Sequence, residues 1–235
     1  MKTHPIEIYN ARAAQSDYCR LCEIPEHFIK CIIAAEDCHF FEHRGIDHTA
    51  IKMSIRSFLK GGKLYGCSTI SQQLVKNLYF SFERSWIHKL QEAVMVKKFE
   101  RDLSKEQILE LYINIVYYDN GQYGLSNASQ FYFGKKPKDL TVNQSVVIAY
   151  VLPVVGVYNP LYHPEEYWTF RNKKIDYFHS LIGLPEDIVA ASKRHRADCL
   201  DEELCKATKD TDQYNKPGPL INERFGPGMP DCLIR

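Results

Sequence analysis

Two adjacent acids open the stretch EDCHFFEHRG at residues 36–45, directly after a run of apolar residues. The apolar residues of the preceding segment, IPEHFIKCIIAAED, have helical spacing, which places Glu36 at or near the C-terminal end of a helix. An acid is unfavourable there, because the helix dipole stabilises anions at the N-terminal end. A charge in such a position indicates a function, and the chemistry open to Glu36 and Asp37 is proton transfer or the binding of a cation.

Helices must position these acids, because most of the chain has helical rather than strand periodicity. Pro25 lies where the first turn of a helix tolerates proline, and the helix that it opens carries Glu36. Two capping-box patterns predict the starts of further helices: Ser104 with Gln107, and Thr141 with Gln144. From about residue 176 the periodicity weakens, and NKPGPLINERFGPGMPDC is rich in proline and glycine, so we expect an irregular tail.

The composition is that of a globular protein, with 235 residues of which 45% are hydrophobic and 25% charged. The 30 Lys and Arg nearly balance the 29 Asp and Glu, so the chain lacks the basic field that would indicate nucleic-acid binding. No run of apolar residues is long enough to predict a membrane-spanning helix, and no export signal is visible. The eight cysteines leave the redox compartment open, and the CRLC motif lacks the second pair of ligands that a zinc site requires.

Five motifs together resemble a known family: EDCHFFEHRG, GCSTISQQLVKN, HKLQE, KEQILELYINIVYY and GQYGLSNASQFYFGK. In this order and at this spacing, over about residues 24–175, they are similar to the peptidoglycan glycosyltransferase domain. This is glycosyltransferase family 51, known from penicillin-binding proteins and monofunctional transglycosylases. The resemblance implies a mainly α, bilobal, lysozyme-like fold with head and jaw lobes. It divides the chain into a lead segment 1–23, the domain 24–175 and a C-terminal extension 176–235.

The family's reaction implies a role for each acid of the opening stretch. It transfers a glycan held on a polyprenyl pyrophosphate to the 4-hydroxyl of lipid II, and a sugar hydroxyl needs a carboxylate to take its proton. Glu36 matches the catalytic glutamate and is the predicted general base. Asp37 is expected to orient the loop or a neighbouring cation, whereas Phe40 and His43 are expected to hold the loop without transferring a proton.

The negative charge that develops on the leaving pyrophosphate must be stabilised by cations or hydrogen-bond donors. In the segment GCSTISQQLVKNLYFSFER, Gly66 permits a close approach and the following helix could present amide and ammonium groups on one face. The alternative is an ordinary solvated helix face. The predicted substrate-binding residues, taken together, are Asp37, Ser68, Thr69, Gln72, Gln73, Lys76, Arg84 and Lys89.

Glu92 matches the family's second glutamate, and we predict that it is catalytic by helping to hold the pyrophosphate. It would act through a cation or through a divalent metal, Mg²⁺ or Mn²⁺, and no organic cofactor is expected. The alternative is an exposed helix acid paired with His88, which would stabilise the helix by only a few tenths of a kcal/mol.

The sequence departs from the family at four positions. His88 replaces the usual arginine and Gln91 a lysine, so pyrophosphate binding could be weaker or depend on the charge of His88. Ser126 and Asn127 stand where relatives usually carry Glu and Ala, which leaves the packing of that lobe or its glycan-binding cleft in doubt. Within the motif KEQILELYINIVYY, the predicted core residues are Leu109, Leu111, Tyr112 and Ile113. Glu110 and Asn114 are predicted to be motif residues with a mainly structural role.

Residues 46–65 combine apolar and basic side chains at helical spacing, which is typical of a helix at an anionic membrane surface. Packing of this helix against the protein's own core is the alternative. The resemblance implies lipid II and polyprenyl-linked glycan as partners, with transpeptidases and other cell-wall synthesis proteins as further ones. It also implies a location at the extracytoplasmic face of the bacterial inner membrane.

Three classes of function remain open from the sequence. A glycan polymerase is favoured, because both glutamates and the cluster of amide and cationic side chains are present. A lysozyme-like hydrolase, with Glu36 as general acid, is disfavoured because hydrolysis needs no pyrophosphate site. A non-catalytic scaffold of the cell-wall machinery is the third class, suggested by the four departures.

Overall fold

The computed structural model describes residues 4–62, 66–80 and 86–152 and the single positions 168, 169, 172, 186 and 190, without the side chains of residues 86–88. The described residues are mainly helical, which confirms the predicted fold class, and their one β-type pairing is an isolated bridge between Tyr117 and Tyr123. The helices are α1 Pro5–Ala13, α2 Glu26–Glu36, α3 His48–Leu59, α4 Ile70–Tyr79, α5 Trp86–Asp102, α6 Lys105–Ile115, α7 Leu125–Phe133 and α8 Val142–Val151.

The described residues form two compact units, one of residues 4–15 and 36–115 and the other of residues 16–35 and 116–152. In the first unit, α4 packs against α5 and α6, and α1 packs against the same two helices. Arg12 of α1 is fully buried and donates to the Asn114 carbonyl at 3.0 Å, while the Tyr9 hydroxyl donates to the Glu110 carboxylate at 2.7 Å. Helix α1, which lies in the predicted lead segment, is therefore part of this unit's core.

Helix α6 is buried from Ile108 to Ile115, which includes the residues that the sequence predicts, because this part of the chain packs against α4, α1 and α5. Its start follows the predicted capping box. The backbone N–H of Ser104 donates to the Gln107 side chain at 2.9 Å, and the Gln107 N–H donates to the Ser104 hydroxyl at 3.2 Å. This capping sets where the buried face of α6 begins.

In the second unit, α8 begins at the other predicted capping box, with Thr141 as N-cap and Gln144 as its partner. The turn before α7 holds Asp119 and Asn120 at positive φ, a conformation that Asn and Asp adopt more readily than most residues. Asn127, one of the family departures, donates from its amide to the Tyr123 carbonyl at 2.8 Å. The asparagine therefore has a structural hydrogen bond of its own in this lobe.

Helix α3 begins where Asp47 caps it, accepting hydrogen bonds from the N–H groups of Thr49 and Ala50 at 2.8 Å each. It ends at Leu59, earlier than the predicted stretch 46–65, because Gly61 adopts φ +81° and the Gly62 N–H bonds back to the Ser57 carbonyl. This glycine pair is the local signal that stops the helix.

Candidate active site

Glu36 is the last residue of α2, as predicted, and its two carboxylate oxygens have different surroundings. The Gln73 amide Nε2 donates to Oε2 at 2.6 Å, whereas Oε1 is buried and has no hydrogen-bond partner among the described residues. Burial raises the pKa of Glu36 to about 7, against the Gln73 hydrogen bond, which lowers it, and with a further rise from the Asp37 charge. A carboxylate with this pKa, and with one oxygen that has no hydrogen-bond partner among the described residues, is suited to act as a general base at neutral pH.

Asp37, the residue after Glu36, is buried and directs its carboxylate into the protein. The backbone N–H of Ile70 donates to Oδ2 at 3.0 Å, and His43 Nε2 lies 3.0 Å from both oxygens. The Gly45 N–H donates to His43 Nδ1 at 3.1 Å, so the imidazole proton is on Nε2 and points at Asp37. Because these contacts occupy the carboxylate, Asp37 holds the loop of residues 37–45, hereafter the acid loop, against the N-terminus of α4.

The other end of the acid loop is held by Thr69, the N-cap of α4. Its hydroxyl donates to the Gly45 carbonyl at 2.6 Å and accepts from the Gln72 N–H at 3.1 Å. The Gln72 side-chain oxygen in turn accepts from the Thr69 N–H at 3.1 Å, which completes a capping box. Thr69 was predicted to bind substrate, but its hydroxyl is already used twice within the protein.

Gly45 is required at the end of the acid loop for two reasons. Its φ of +86° is strained for any residue with a Cβ. A Cβ built there would also lie 2.3 Å from Cγ1 of Val96 and 3.0 Å from Cγ of Glu100, both on α5. The loop backbone therefore rests directly on α5.

A partly buried ionic cluster contacts the acid loop, and the sequence did not predict it. The Glu100 carboxylate accepts from the Ser71 hydroxyl and, at 2.8 Å, from Lys105 Nζ. Lys105 Nζ also lies 4.4 Å from the centre of the buried Phe40 ring, a cation–π distance. The capping box at Ser104 could have placed Lys105 in the first turn of α6, but no sequence signal pairs it with Glu100.

Glu92 lies on α5 with 6% of its surface exposed, which excludes the alternative of an exposed helix acid. Its Oε1 is 2.5 Å from Lys89 Nζ, and the Lys89 side chain is 53% exposed. The pair therefore offers an ammonium group to solvent while its carboxylate is shielded. Gln91, beside it, is exposed, and the side chain of His88 and the whole of Arg84 lie outside the described residues.

Comparison with known proteins identifies the family of the chain. A family model described as Transglycosylase matches residues 3–177 of the chain. The chain belongs to the transglycosylase family. The match confirms the resemblance that the motifs indicated and includes α1 of the predicted lead segment.

Three relatives show how much of each protein this chain matches. Penicillin-binding protein 1F from Bacillus subtilis is 40% identical over 145 residues, which is 61% of this chain and 20% of that protein. Penicillin-binding protein 4 from the same organism is 34% identical over 204 residues, 86% of this chain and 32% of that protein. A crystal structure of penicillin-binding protein 1A from Haemophilus influenzae is 18% identical with a TM-score of 0.44, over 76% of this chain and 17% of that one. The chain spans less than a third of these proteins' length.

The remaining predicted binding residues of this chain lie on or before α4. Ser68 and Lys76 are exposed, whereas Gln72 is buried and uses its carbonyl oxygen in the capping box. Gln73 uses both ends of its amide, because Nε2 donates to Glu36 and Oε1 accepts from the Tyr112 hydroxyl at 3.0 Å. Of the predicted binding residues on this segment, Ser68 and Lys76 are therefore accessible to a ligand, whereas the Gln73 amide is hydrogen-bonded to Glu36.

Helix α3 has an exposed apolar face, and nothing in the described part of the chain covers it. The exposed residues are Met53, Ile55, Phe58 and Leu59, the last of them 78% exposed. Among the described residues, the alternative of packing against the protein's own core is therefore not what the structure shows. No described helix is both long and apolar enough to cross a bilayer.

A divalent metal would find few ligands among the described residues. No group of three or more His, Cys, Asp or Glu side chains in that part of the chain could hold one. Mg²⁺ is commonly held by one or two carboxylates together with substrate phosphates. Glu92 therefore fits a metal only when the pyrophosphate supplies the other ligands, and the metal would then neutralise charge on the leaving group.

Proposed function

We propose that this protein is a peptidoglycan glycosyltransferase that polymerises lipid II. It would transfer the glycan from a polyprenyl pyrophosphate donor to the 4-hydroxyl of the acceptor sugar. The observation that carries the proposal is the carboxylate of Glu36, which has a pKa of about 7 and a buried oxygen with no partner among the described residues. The resemblance of the motif EDCHFFEHRG also predicts Glu36 as the catalytic glutamate.

In the proposed step, Glu36 takes the proton of the acceptor 4-hydroxyl as that oxygen attacks C1 of the donor sugar. The new C–O bond forms while the bond between C1 and the pyrophosphate oxygen breaks, and the electron pair leaves on the pyrophosphate. Cationic groups must meet that charge, and Lys76 and Lys89 are the described lysines among the predicted binding residues whose side chains reach solvent. Glu92 orients Lys89 through their ion pair.

The lipid substrate requires that the protein works at a membrane surface, and α3 supports this part of the proposal. Its exposed apolar residues alternate with Lys52, Arg56 and Lys60, so the helix combines apolar area with positive charge. That combination binds anionic interfaces. We place the protein at the extracytoplasmic face of the bacterial inner membrane, where it would work beside transpeptidases.

The experiment that tests the activity is polymerisation of lipid II in detergent, with glycan chains followed on a gel. Native protein should make polymer, and Glu36→Gln should reduce the rate by about 100-fold or more because general base catalysis typically contributes that much. Glu26→Gln is the matched control, since Glu26 is an exposed acid in the first turn of the same helix. It should leave the rate unchanged.

Two outcomes would replace the proposal. Cleavage of finished glycan by the native protein, without polymerisation, would identify a hydrolase. Folded native protein that neither polymerises nor cleaves, with and without Mg²⁺ or Mn²⁺ and with a membrane anchor attached, would identify a scaffold.

Membrane binding is tested separately by flotation with vesicles that contain anionic lipid. Native protein should float with the vesicles, and the double variant Ile55→Asp with Phe58→Asp should remain in solution. Val94→Asp is the matched control, because Val94 is an exposed apolar residue of α5 rather than α3. Equal binding of the double variant and the native protein would exclude α3 as the membrane contact.

A further inference from the structure

The general base is linked through an amide to a buried tyrosine of α6. The Tyr112 hydroxyl donates to Oε1 of Gln73 at 3.0 Å, and Nε2 of the same amide donates to Glu36 Oε2 at 2.6 Å. Tyr112 is fully buried, and all three residues lie in the same compact unit. From the sequence, Tyr112 was predicted only as a core residue of α6, so this link is additional to that role.

The direction of the Gln73 amide decides how Glu36 is solvated. A carboxamide can present either its N–H₂ donor or its carbonyl acceptor to a neighbour, and the two orientations have nearly the same shape. A phenol hydroxyl that donates to Oε1 favours the orientation in which Nε2 faces Glu36. The reverse orientation would place a carbonyl against the carboxylate and would stabilise only the protonated acid.

We propose that Tyr112 is a positioning residue for Glu36, which acts through Gln73 to keep an N–H donor on Oε2 and so leaves Oε1 for the acceptor hydroxyl. For catalysis this inference rests on the proposed function, but the effect on the titration of Glu36 does not. Tyr112 is not itself placed in contact with substrate.

The balance of effects at Glu36 makes the amide direction important. Burial raises the pKa of Glu36, the Gln73 hydrogen bond opposes that rise, and the neighbouring Asp37 charge adds to it. Asp37 is the charged group that acts on Glu36 among the described residues, and its own carboxylate is held by His43 and Ile70. Loss of the oriented donor would therefore leave two effects that both favour the protonated acid.

The test is an NMR titration of the Glu36 side-chain carboxyl carbon in native protein and in Tyr112→Phe. The variant should raise the midpoint by about one pH unit or more, because hydrogen bonds to charged groups are stronger than neutral ones. Tyr132→Phe is the matched control, since Tyr132 is also fully buried and its hydroxyl donates to the Tyr118 carbonyl at 2.9 Å. The control should not move the midpoint.

A second variant keeps the test decisive if Tyr112→Phe does not fold. Gln73→Met removes both ends of the amide at similar volume and should raise the Glu36 midpoint by at least as much. Where both variants fold, adding Tyr112→Phe to Gln73→Met should produce no further rise, because the tyrosine acts through the amide. An unchanged midpoint in Tyr112→Phe or in Gln73→Met, or a full further rise in the double variant, would overturn the inference.

Activity supplies a separate measurement. If native protein polymerises lipid II, Tyr112→Phe should lower kcat at pH 7 by about fivefold, because a midpoint raised from about 7 to about 8 lowers the ionised fraction of Glu36 from about a half to about a tenth. The kcat of the variant should recover towards pH 9, and KM should be unchanged. If the midpoint moves but native protein makes no polymer, the link to Glu36 stands and the proposed function fails.

Discussion

The backbone N–H of Ile70 donates a hydrogen bond to the Asp37 carboxylate at 3.0 Å, although the two residues are 33 positions apart. The bond joins the residue after Glu36 to the first residue of the helix that carries Gln73. A carboxylate at the N-terminus of α4 is also favoured by the helix dipole. The general base and the amide that orients it are thus placed by a common anchor.

Replacing this anchor should destabilise the protein. In Asp37→Asn, the amide oxygen can replace Oδ2 and accept from Ile70, but the N–H₂ group then replaces Oδ1 and lies against the His43 Nε2 donor, which loses one of its two acceptor oxygens. We expect the free energy of unfolding to fall by about 2 kcal/mol, as for a buried donor left without an acceptor. Urea denaturation measures this, with Asp139→Asn as the exposed control. Equal midpoints for the two variants would contradict the anchoring role.

The contact of Gly45 with α5 predicts a large difference between two glycine substitutions. Gly45→Ala combines a strained φ with overlap on Val96, so we expect a loss of about 3 kcal/mol or more in the free energy of unfolding. Gly61 has a similar φ of +81° but nothing within 4 Å of an added Cβ, so Gly61→Ala should lose only about 1 kcal/mol. Similar thermal midpoints for both variants would show that the acid loop does not rest on Val96.

The raised pKa of Glu36 predicts how stability depends on pH. The folded protein holds this proton up to about pH 7, whereas the unfolded chain releases it near 4.5, so ionisation of Glu36 lowers stability as pH rises between those values. Glu36→Gln lacks this ionisation. Relative to native protein, the variant should gain on the order of 2 to 3 kcal/mol between pH 4.5 and pH 8, since one pKa unit corresponds to about 1.4 kcal/mol.

Denaturation at a series of pH values would measure this gain, with Glu26→Gln as the control. The pKa of Glu26 is lowered by the hydrogen bond from Lys30 and by its charge, so that variant should show no gain across the same window. A gain of the same size in both variants would assign the effect to net charge instead of to Glu36.

The pair of His39 and Asp47 at the start of α3 predicts a second dependence of stability on pH, which comes from a base instead of an acid. The Asp47 hydrogen bond raises the pKa of His39 above 6.5, with partial opposition from burial. The pair therefore contributes fully below pH 6.5 and is lost as pH rises through the raised value. Because the His39 side chain is 40% exposed, the contribution should be only a few tenths of a kcal/mol. The difference between native protein and His39→Gln should shrink from pH 6 to pH 9, and a constant difference would reject the pair.

Local signals in the sequence predicted the elements that carry the site. Glu36 does end its helix, and the capping boxes at Ser104 and Thr141 do open helices. These features depend on residues within one or two turns of each other, so their spacing in the chain is enough to predict them. The buried face of α6 followed from the same periodicity.

Contacts between distant residues were not predictable in this way. Helical spacing indicated that Gln73 could face a ligand, but it could not show that Tyr112 and Glu36 occupy both ends of its amide. Likewise, no residue close to Glu100 in the sequence indicates that its carboxylate accepts hydrogen bonds from Ser71 and Lys105. Such pairs depend on how the helices pack against one another, and that packing cannot be predicted from the local pattern of a single sequence.

The two hydrogen bonds of the Thr69 hydroxyl have a consequence for motion. One bond closes the end of the acid loop and the other forms part of the first turn of α4, so a single side chain joins the two segments. The loop and the helix start therefore belong to one cooperative unit of local unfolding. Amide hydrogens of the acid loop and of the first turn of α4 should exchange with solvent together, and Glu36 remains in its native surroundings for as long as that unit is closed.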